Sequence, residues 1–177
     1  MWARLAAEAG IPAGVFNVVH GYGPNSVGEV LTHDQRVDRI TFTGDSSTGK
    51  VIAGAAAANL TPVSLELGGK GANIVFDDAN MVNAVDWAAQ AIFRNAGQIC
   101  LAGSRLYVQE SIYDEFVRLL TEKAEQMRIG DPQDADTDFG PIASEEHFTK
   151  VSGYFETLDE DGGRVVTGGM GDGWVVK

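Results

Sequence analysis

The chain has 177 residues and a single cysteine, which suits one domain or parts of two, excludes an internal disulfide and favours the reducing cytoplasm. Its formal net charge of −12 argues against nucleic acid or an anionic membrane surface as a partner, because phosphate contacts require clustered Lys and Arg. No apolar run approaches the roughly 18 residues of a membrane span.

Apolar runs alternate with helical patterns along the chain. Short strands are predicted at residues 15–19, 39–43, 62–67, 72–76 and 105–109. A helix is predicted at residues 50–58, between the second and third of these strands. Because strands and helices alternate, the sequence predicts an α/β fold with a largely parallel sheet.

Three further helices are predicted after the glycine-rich residues 68–71, which we interpret as a domain boundary. The first follows the cap candidates Asp77 and Asp78, the second begins at Ser111 with Asp114 as the other half of a capping box, and the third follows Ser144. We interpret their apolar stripes as core. The stripes are Met81, Val85, Ala88 and Ile92; Ile112, Phe116, Leu119 and Met127; and Phe148, Val151, Phe155 and Leu158.

Two motifs in the chain are weak. Residues 21–26 resemble a dinucleotide fingerprint but have Ser26 where the third glycine belongs, so we interpret them as a tight turn. Asp134, Asp136, Asp138 and Glu145 fit a calcium-loop spacing, yet Phe139 stands where that loop needs glycine. An acidic surface loop is the better interpretation, and no metal site is predicted.

The stretch FTGDSSTG, residues 42–49, runs from a strand end into a helix start. Glycine leaves backbone N–H groups accessible there, which suits a phosphate. Asp45 and the following hydroxyl residues are equally typical of an N-cap without any ligand. The stretch alone leaves both interpretations open.

Three stretches together resemble the NAD(P)-dependent aldehyde dehydrogenase superfamily. They are FTG at 42–44, LELGGK at 65–70, and GQIC at 97–100 with SR at 104–105. Joining segments such as AGIPAGVFNVVHGYG and GDPQDADTDFGP extend the resemblance over almost the whole chain. It implies an aldehyde dehydrogenase-like α/β fold, with a portion of a parallel Rossmann-type sheet followed by a portion of an α/β catalytic domain. The implied reaction is oxidation of an aldehyde to a carboxylic acid.

The resemblance also assigns roles to residues. Cys100 is expected to add to the aldehyde as a thiohemiacetal that becomes a thioester, with its own N–H as half of an oxyanion hole. Glu66 is expected to be the base that activates water for hydrolysis. The cofactor, NAD or else NADP, is expected against Thr43, Gly44, Asp45, Ser46, Ser47, Thr48, Gly49 and the backbone of Leu67. Many members have serine at position 45, and a carboxylate beside a pyrophosphate is unfavourable unless it turns away to cap the helix.

Family members are longer than this chain. Residues 1–68 correspond to the C-terminal part of the dinucleotide-binding domain and residues 69–177 to the N-terminal part of the catalytic domain. The asparagine that completes the oxyanion hole and the glutamate that positions the nicotinamide ribose lie in segments without a counterpart here. We therefore expect a fragment.

Two alternatives remain open beside the hydrolytic enzyme. One is a CoA-acylating aldehyde dehydrogenase, which Glu66 disfavours because such an enzyme gains nothing from a base that activates water. The other is a non-catalytic dinucleotide-binding remnant. The sequence does not identify the aldehyde. The implied partner is a small aldehyde rather than a nucleic acid or a membrane, and the full-length protein is expected to be a cytoplasmic homo-oligomer.

We expect the isolated chain to have little or no dehydrogenase activity, because half of the cofactor cleft lies in segments that it lacks. The measurement is NADH formation by the pure 177-residue protein with a panel of aldehydes. Robust turnover would contradict the prediction.

Overall fold

The computed structural model describes residues 1–158, 160–171 and 175. The chain divides into two compact units, Met1–Leu67 and Gly68–Lys177. Each unit combines helices with a pair of parallel strands, which confirms the predicted α/β class. No helix in the described residues is long and apolar enough to cross a membrane.

The first unit is built around a strand–helix–strand motif. Its elements are α1 (Trp2–Glu8), α2 (Val27–His33), β1 (Ile40–Gly44), α3 (Ser46–Asn59) and β2 (Val63–Leu67). The strands pair in parallel, from Ile40 beside Val63 to Gly44 beside Leu67. Parallel neighbours need a crossover connection, and α3 provides it. Small residues face the strands, since Gly49 and Ala56 are the buried positions of α3.

The second unit places two helices against a second parallel strand pair. Its elements are β3 (Ala72–Val75), α4 (Met81–Phe93), β4 (Arg105–Val108), α5 (Tyr113–Glu125) and α6 (Glu145–Glu156), with 3-10 turns at Arg94–Gly97 and Glu110–Ile112. The core consists of Val75, Val85, Ala88 and Phe116. Three of these four residues lie on the predicted apolar stripes of α4 and α5. This confirms the 3.6-residue period as the signal for both helices.

The predicted strand at residues 15–19 is wrong. The segment has no strand partner among the described residues, and its side chains are exposed, for example Val15 at 71%. A strand exists only through hydrogen bonds to a neighbour, which an apolar run by itself does not supply. The other four predicted strands correspond to β1, β2, β3 and β4.

The predicted caps of α4 are also wrong. Asn80, rather than Asp77 or Asp78, caps this helix, and its side chain accepts a hydrogen bond from the Asn83 N–H at 3.1 Å. Asp77 is occupied elsewhere, because its carboxylate accepts from the Gln109 side-chain amide at 2.8 Å. Asp77 therefore ties the end of β3 to the end of β4.

The capping box proposed for Ser111 and Asp114 does not form. A 3-10 turn precedes α5, whose N-cap is Ile112 without a side-chain hydrogen bond. Ser111 instead accepts from the Gln109 side-chain amide at 3.0 Å. The third helix begins directly after Ser144, as predicted, and Ser144 is its N-cap, because its side chain accepts the amide of the third residue of α6 at 3.2 Å.

Replacing Phe116 with Ala should lower the free energy of unfolding of the second unit by about 3–5 kcal/mol, because a fully buried ring leaves a cavity. Urea unfolding of the chain measures the loss. Phe76→Ala is the matched control, since it removes the same ring at a position that is 61% exposed. It should lower the free energy of unfolding by only about 0.5 kcal/mol. Equal losses would show that Phe116 is not the centre of the core.

Candidate active site

A left-handed turn leads from α4 into the cysteine segment. Asn95, Ala96 and Gly97 have φ angles of 55°, 53° and 72°. Asn and Gly tolerate this region, whereas an Ala there costs about 1–2 kcal/mol. A Cβ on Gly97 would also stand 3.1 Å from the carbonyl oxygen of Ile92. The turn therefore reverses the chain sharply at the end of α4.

Two hydrogen bonds close this turn just before Cys100. The Gln98 N–H donates to the Asn95 carbonyl at 3.1 Å, and the Asn95 side-chain amide donates to the Gln98 carbonyl at 3.2 Å. Cys100 itself is exposed. Within the described residues its N–H donates to no carbonyl, whereas the Ala102 N–H donates to Ile99 at 3.0 Å. The thiol is thus accessible beside a backbone N–H that is available to an oxyanion.

Gly69, in the second motif, and Gly71, directly after it, lie against the cysteine segment. A Cβ on Gly69 would stand 3.1 Å from the carbonyl oxygen of Cys100, and one on Gly71 would stand 3.2 Å from that of Ala102. Gly68, by contrast, has nothing within 4 Å of that position. A Cβ at Gly69 or Gly71 would therefore crowd a neighbouring backbone, whereas one at Gly68 would not.

Arg105 holds the same two segments together. Its side-chain Nε donates to the Lys70 carbonyl at 3.0 Å, and its backbone N–H donates to the Gly71 carbonyl at 3.2 Å. On the other side, the Gly103 N–H donates to the Ala91 carbonyl of α4 at 3.0 Å. The cysteine loop is therefore anchored both to the glycine motif and to α4.

The first unit brings together two other predicted stretches. The parallel register places Thr43 beside Glu66 and Gly44 beside Leu67, at the carboxyl ends of β1 and β2. Ligands of open α/β sheets bind at this edge. Thr43, Gly44 and Glu66 are exposed there. Glu66 belongs to the first unit and Cys100 to the second.

Asp45 is the N-cap of α3. Its carboxylate accepts from the Ser47 N–H at 2.8 Å and from the Ser47 hydroxyl at 2.5 Å. Its backbone carbonyl accepts from the Gly49 N–H at 3.0 Å, which is the first helical hydrogen bond. The helix thus begins at Ser46, four residues before the predicted start. The carboxylate is turned to its own helix, as a residue beside a phosphate site would need to be.

The start of α3 lies close to the end of β2. Gly49 is buried, and a Cβ on it would stand 2.7 Å from the Leu67 side chain. The amides of Ser46 and Thr48 precede the first helical hydrogen bond, so no helical carbonyl accepts them. Such amides and the positive end of a 14-residue helix suit an anion.

The carboxylates of the acidic loop after α5 have hydrogen-bond or ion-pair partners within the loop or at its start. Asp138 accepts from the Arg128 N–H at 2.8 Å, and Asp136 pairs with the Arg128 guanidinium at 3.0 Å. Asp134 accepts from the Asp136 N–H at 3.1 Å. In the described residues, no group of three or more His, Cys, Asp or Glu is arranged to hold a metal ion.

The turn at residues 95–97 and the steric role of Gly69 were not anticipated from the sequence. The dipeptide Asn95-Ala96 before a glycine carries part of the signal, because Asn readily adopts the left-handed region. The contact of Gly69 carries no local signal, since it depends on a carbonyl 31 positions further along the chain (100 − 69 = 31).

Gly69→Ala should displace the Cys100 carbonyl and destabilise the second unit by about 1–3 kcal/mol, because a methyl group meets backbone rather than a flexible side chain. The measurements are urea unfolding and the rate of Cys100 alkylation by iodoacetamide. Gly68→Ala is the matched control and should be neutral or slightly stabilising. A harmless Gly69→Ala, or equal effects at both positions, would contradict the assigned contact.

The chain is similar to aldehyde dehydrogenases in both sequence and structure. It is 49% identical to 2-hydroxymuconic semialdehyde dehydrogenase of Pseudomonas sp. (strain CF600) over 166 residues. The aligned residues are 94% of this chain and 34% of that protein. It is 44% identical to betaine aldehyde dehydrogenase of Vibrio vulnificus (strain CMCP6) over 168 residues. The aligned residues are 95% of this chain and 34% of that protein. The chain therefore spans about a third of the length of the curated relatives it matches.

A solved structure gives the same result. Betaine aldehyde dehydrogenase from Staphylococcus aureus in complex with NAD+ superposes with a TM-score of 0.90 at 41% identity, over 97% of this chain and 34% of that one. The model of the aldehyde dehydrogenase family matches residues 1–177. The chain therefore belongs to the aldehyde dehydrogenase family.

Proposed function

We propose that this chain is the catalytic segment of an NAD-dependent aldehyde dehydrogenase, which oxidises a small aldehyde to a carboxylic acid. The observation that carries the proposal is the packing of Gly69 against the Cys100 carbonyl, because it joins the two motifs that the resemblance makes catalytic. Membership of the family supplies the reaction class.

Cys100 is the nucleophile in this proposal. Its thiolate adds to the aldehyde carbon, and the carbonyl oxygen becomes the oxyanion of a thiohemiacetal. The Cys100 N–H, which donates to no carbonyl in the described residues, is placed to stabilise that oxyanion. Loss of hydride from the carbon then leaves a thioester on the sulfur.

Glu66 is the general base in this proposal. An exposed carboxylate at a strand end can take a proton from water, and the resulting hydroxide attacks the thioester carbon. The carbon–sulfur bond breaks, the carboxylic acid leaves, and Cys100 regains its thiolate. This role favours hydrolysis over transfer of the acyl group to coenzyme A.

The residues at the start of α3 fit a dinucleotide. The amides of Ser46 and Thr48 are available to phosphate oxygens, and the absence of a Cβ at Gly49 keeps the helix close to Leu67. Thr43 and Gly44 lie beside them at the same strand end. Bound there, NAD would accept the hydride. A relative solved with NAD+ is 41% identical to this chain over the aligned residues, which supports NAD as the cofactor.

The proposed setting is a cytoplasmic homo-oligomer. A single exposed cysteine must stay reduced to act as a nucleophile, which suits the cytoplasm. The net charge of −12 makes a nucleic acid or an anionic membrane an unfavourable partner. Relatives named for semialdehydes and betaine aldehyde support a small, polar aldehyde as the substrate.

Glu66→Gln in the full-length enzyme that contains this chain should leave the first burst of NADH intact and slow later turnovers by about 10²–10⁴-fold. Cys100→Ala should abolish both phases, because no thioester forms without the sulfur. Stopped-flow measurement of NADH absorbance, at about 340 nm, resolves the two phases. The burst should amount to roughly one equivalent of NADH per site.

Glu110→Gln is the matched control, since Glu110 is another exposed carboxylate outside the site. It should leave both phases unchanged. Product analysis completes the test: free acid is expected, whereas acyl-CoA formed on adding coenzyme A would show the acylating reaction. A burst that survives Cys100→Ala would overturn the assignment of the nucleophile.

A further inference from the structure

A surface cavity lies beside the turn that leads into Cys100. Its volume is about 570 Å³, within the range of small-molecule sites. Its lining includes Arg94, Asn95, Ala96 and Gln98 from the turn and residues 137–141 from the acidic loop. Gln98 is two positions before Cys100, so the cavity borders the segment that carries the nucleophile.

Arg94 has an unused guanidinium in this cavity wall. Within the described residues, it makes neither an ion pair nor a hydrogen bond, and the same is true of Arg164. All other arginines have a partner: Arg4 with Glu8, Arg36 with Asp34, Arg39 with Ser64, Arg105 with Lys70 and Tyr107, Arg118 with Glu122, and Arg128 with Asp136. Arg94 alone of the two unpaired arginines lines this cavity.

The one carboxylate in the cavity lining is engaged elsewhere. Asp138 accepts from the Arg128 N–H at 2.8 Å and forms no ion pair with Arg94 in the described residues. Phe139 and Pro141 give this lining an apolar surface. The cavity lining thus offers both an unpaired cation and a hydrocarbon surface.

We propose that Arg94 binds the carboxylate of the substrate, so that the enzyme prefers aldehydes that carry a second, anionic end. The proposal rests on the proposed function, because it assumes that the aldehyde reacts at Cys100. A guanidinium binds a carboxylate through two parallel N–H donors. The short carbon chain between the two ends of such a substrate then lies against the apolar residues of the lining.

The test compares glutaric semialdehyde with pentanal in the full-length enzyme that contains this chain. The two aldehydes have the same number of carbons and differ in the carboxylate. Arg94→Met should lower kcat/KM for the semialdehyde by about 10–100-fold, the range of one charge-assisted hydrogen-bonded contact, and leave pentanal unchanged. Arg94→Lys should restore part of the loss, because it keeps the charge but not the paired donors.

Arg164→Met is the matched control, because Arg164 is an exposed and unpaired arginine outside the cavity lining. It should leave both aldehydes unchanged. An equal loss in Arg94→Met and Arg164→Met would indicate a general effect of surface charge and would overturn the proposal. An unchanged ratio of the kcat/KM values for the two aldehydes in Arg94→Met would also overturn the proposal. That result would leave the proposed oxidation intact.

A second readout on the chain itself does not depend on turnover. Iodoacetate and iodoacetamide alkylate Cys100 by the same chemistry, but only the first is an anion. Arg94→Met should lower the ratio of the two labelling rates, and Arg164→Met should not. If the enzyme oxidises neither aldehyde, the proposed function fails, and an unchanged labelling ratio then overturns the role of Arg94 as well.

Discussion

The candidate site depends on a contact between two stretches of main chain. Gly69 approaches the Cys100 carbonyl so closely that a single methyl group would stand 3.1 Å from the oxygen, and Arg105 binds the Lys70 carbonyl beside it. Contacts of this kind fix a backbone without relying on side-chain rotamers, which suits the proposed role of Cys100 as a nucleophile whose own N–H also faces the substrate. The left-handed turn at residues 95–97 supplies the second constraint, because it decides the direction in which the chain arrives at Cys100.

In the first unit, the parallel pairing of two strands places the candidate residues. β1 and β2 are parallel and joined through α3, so their carboxyl ends meet at one edge, with Thr43 beside Glu66. The division of the chain falls between Leu67 and Gly68, inside the LELGGK motif. The first half of this motif therefore supplies a strand end with an exposed carboxylate, and the second half supplies Gly69, which packs on the cysteine loop.

The stripe of α6, interpreted as core, contains no buried residue, and Ser111 forms no capping box, but local sequence was sufficient for other features that depend on period or on a single cap. The stripe of α4, the cap at Ser144 and strands β1 to β4 are of this kind. It failed where several residues compete for one role, as Asp77 and Asn80 did for the cap of α4. It failed again at residues 15–19, where a strand needs a partner that no local pattern reveals. The catalytic residues were proposed from the resemblance, whereas the Gly69 contact and the Arg94 cavity required three-dimensional neighbours.

The net charge of −12 bears on the preference inferred for an anionic substrate. A negative protein repels an anion at long range, and the repulsion is screened over about 8 Å at physiological salt. Steering by the whole chain therefore cannot attract such a substrate, and any preference must come from short-range contact. In the described residues most arginines are already paired with acids or carbonyls, and only Arg94 and Arg164 keep an unpaired guanidinium. Arg94, in the cavity beside the turn that leads into Cys100, is one of the exceptions, and specificity through it would be set by hydrogen-bond geometry rather than by charge at a distance.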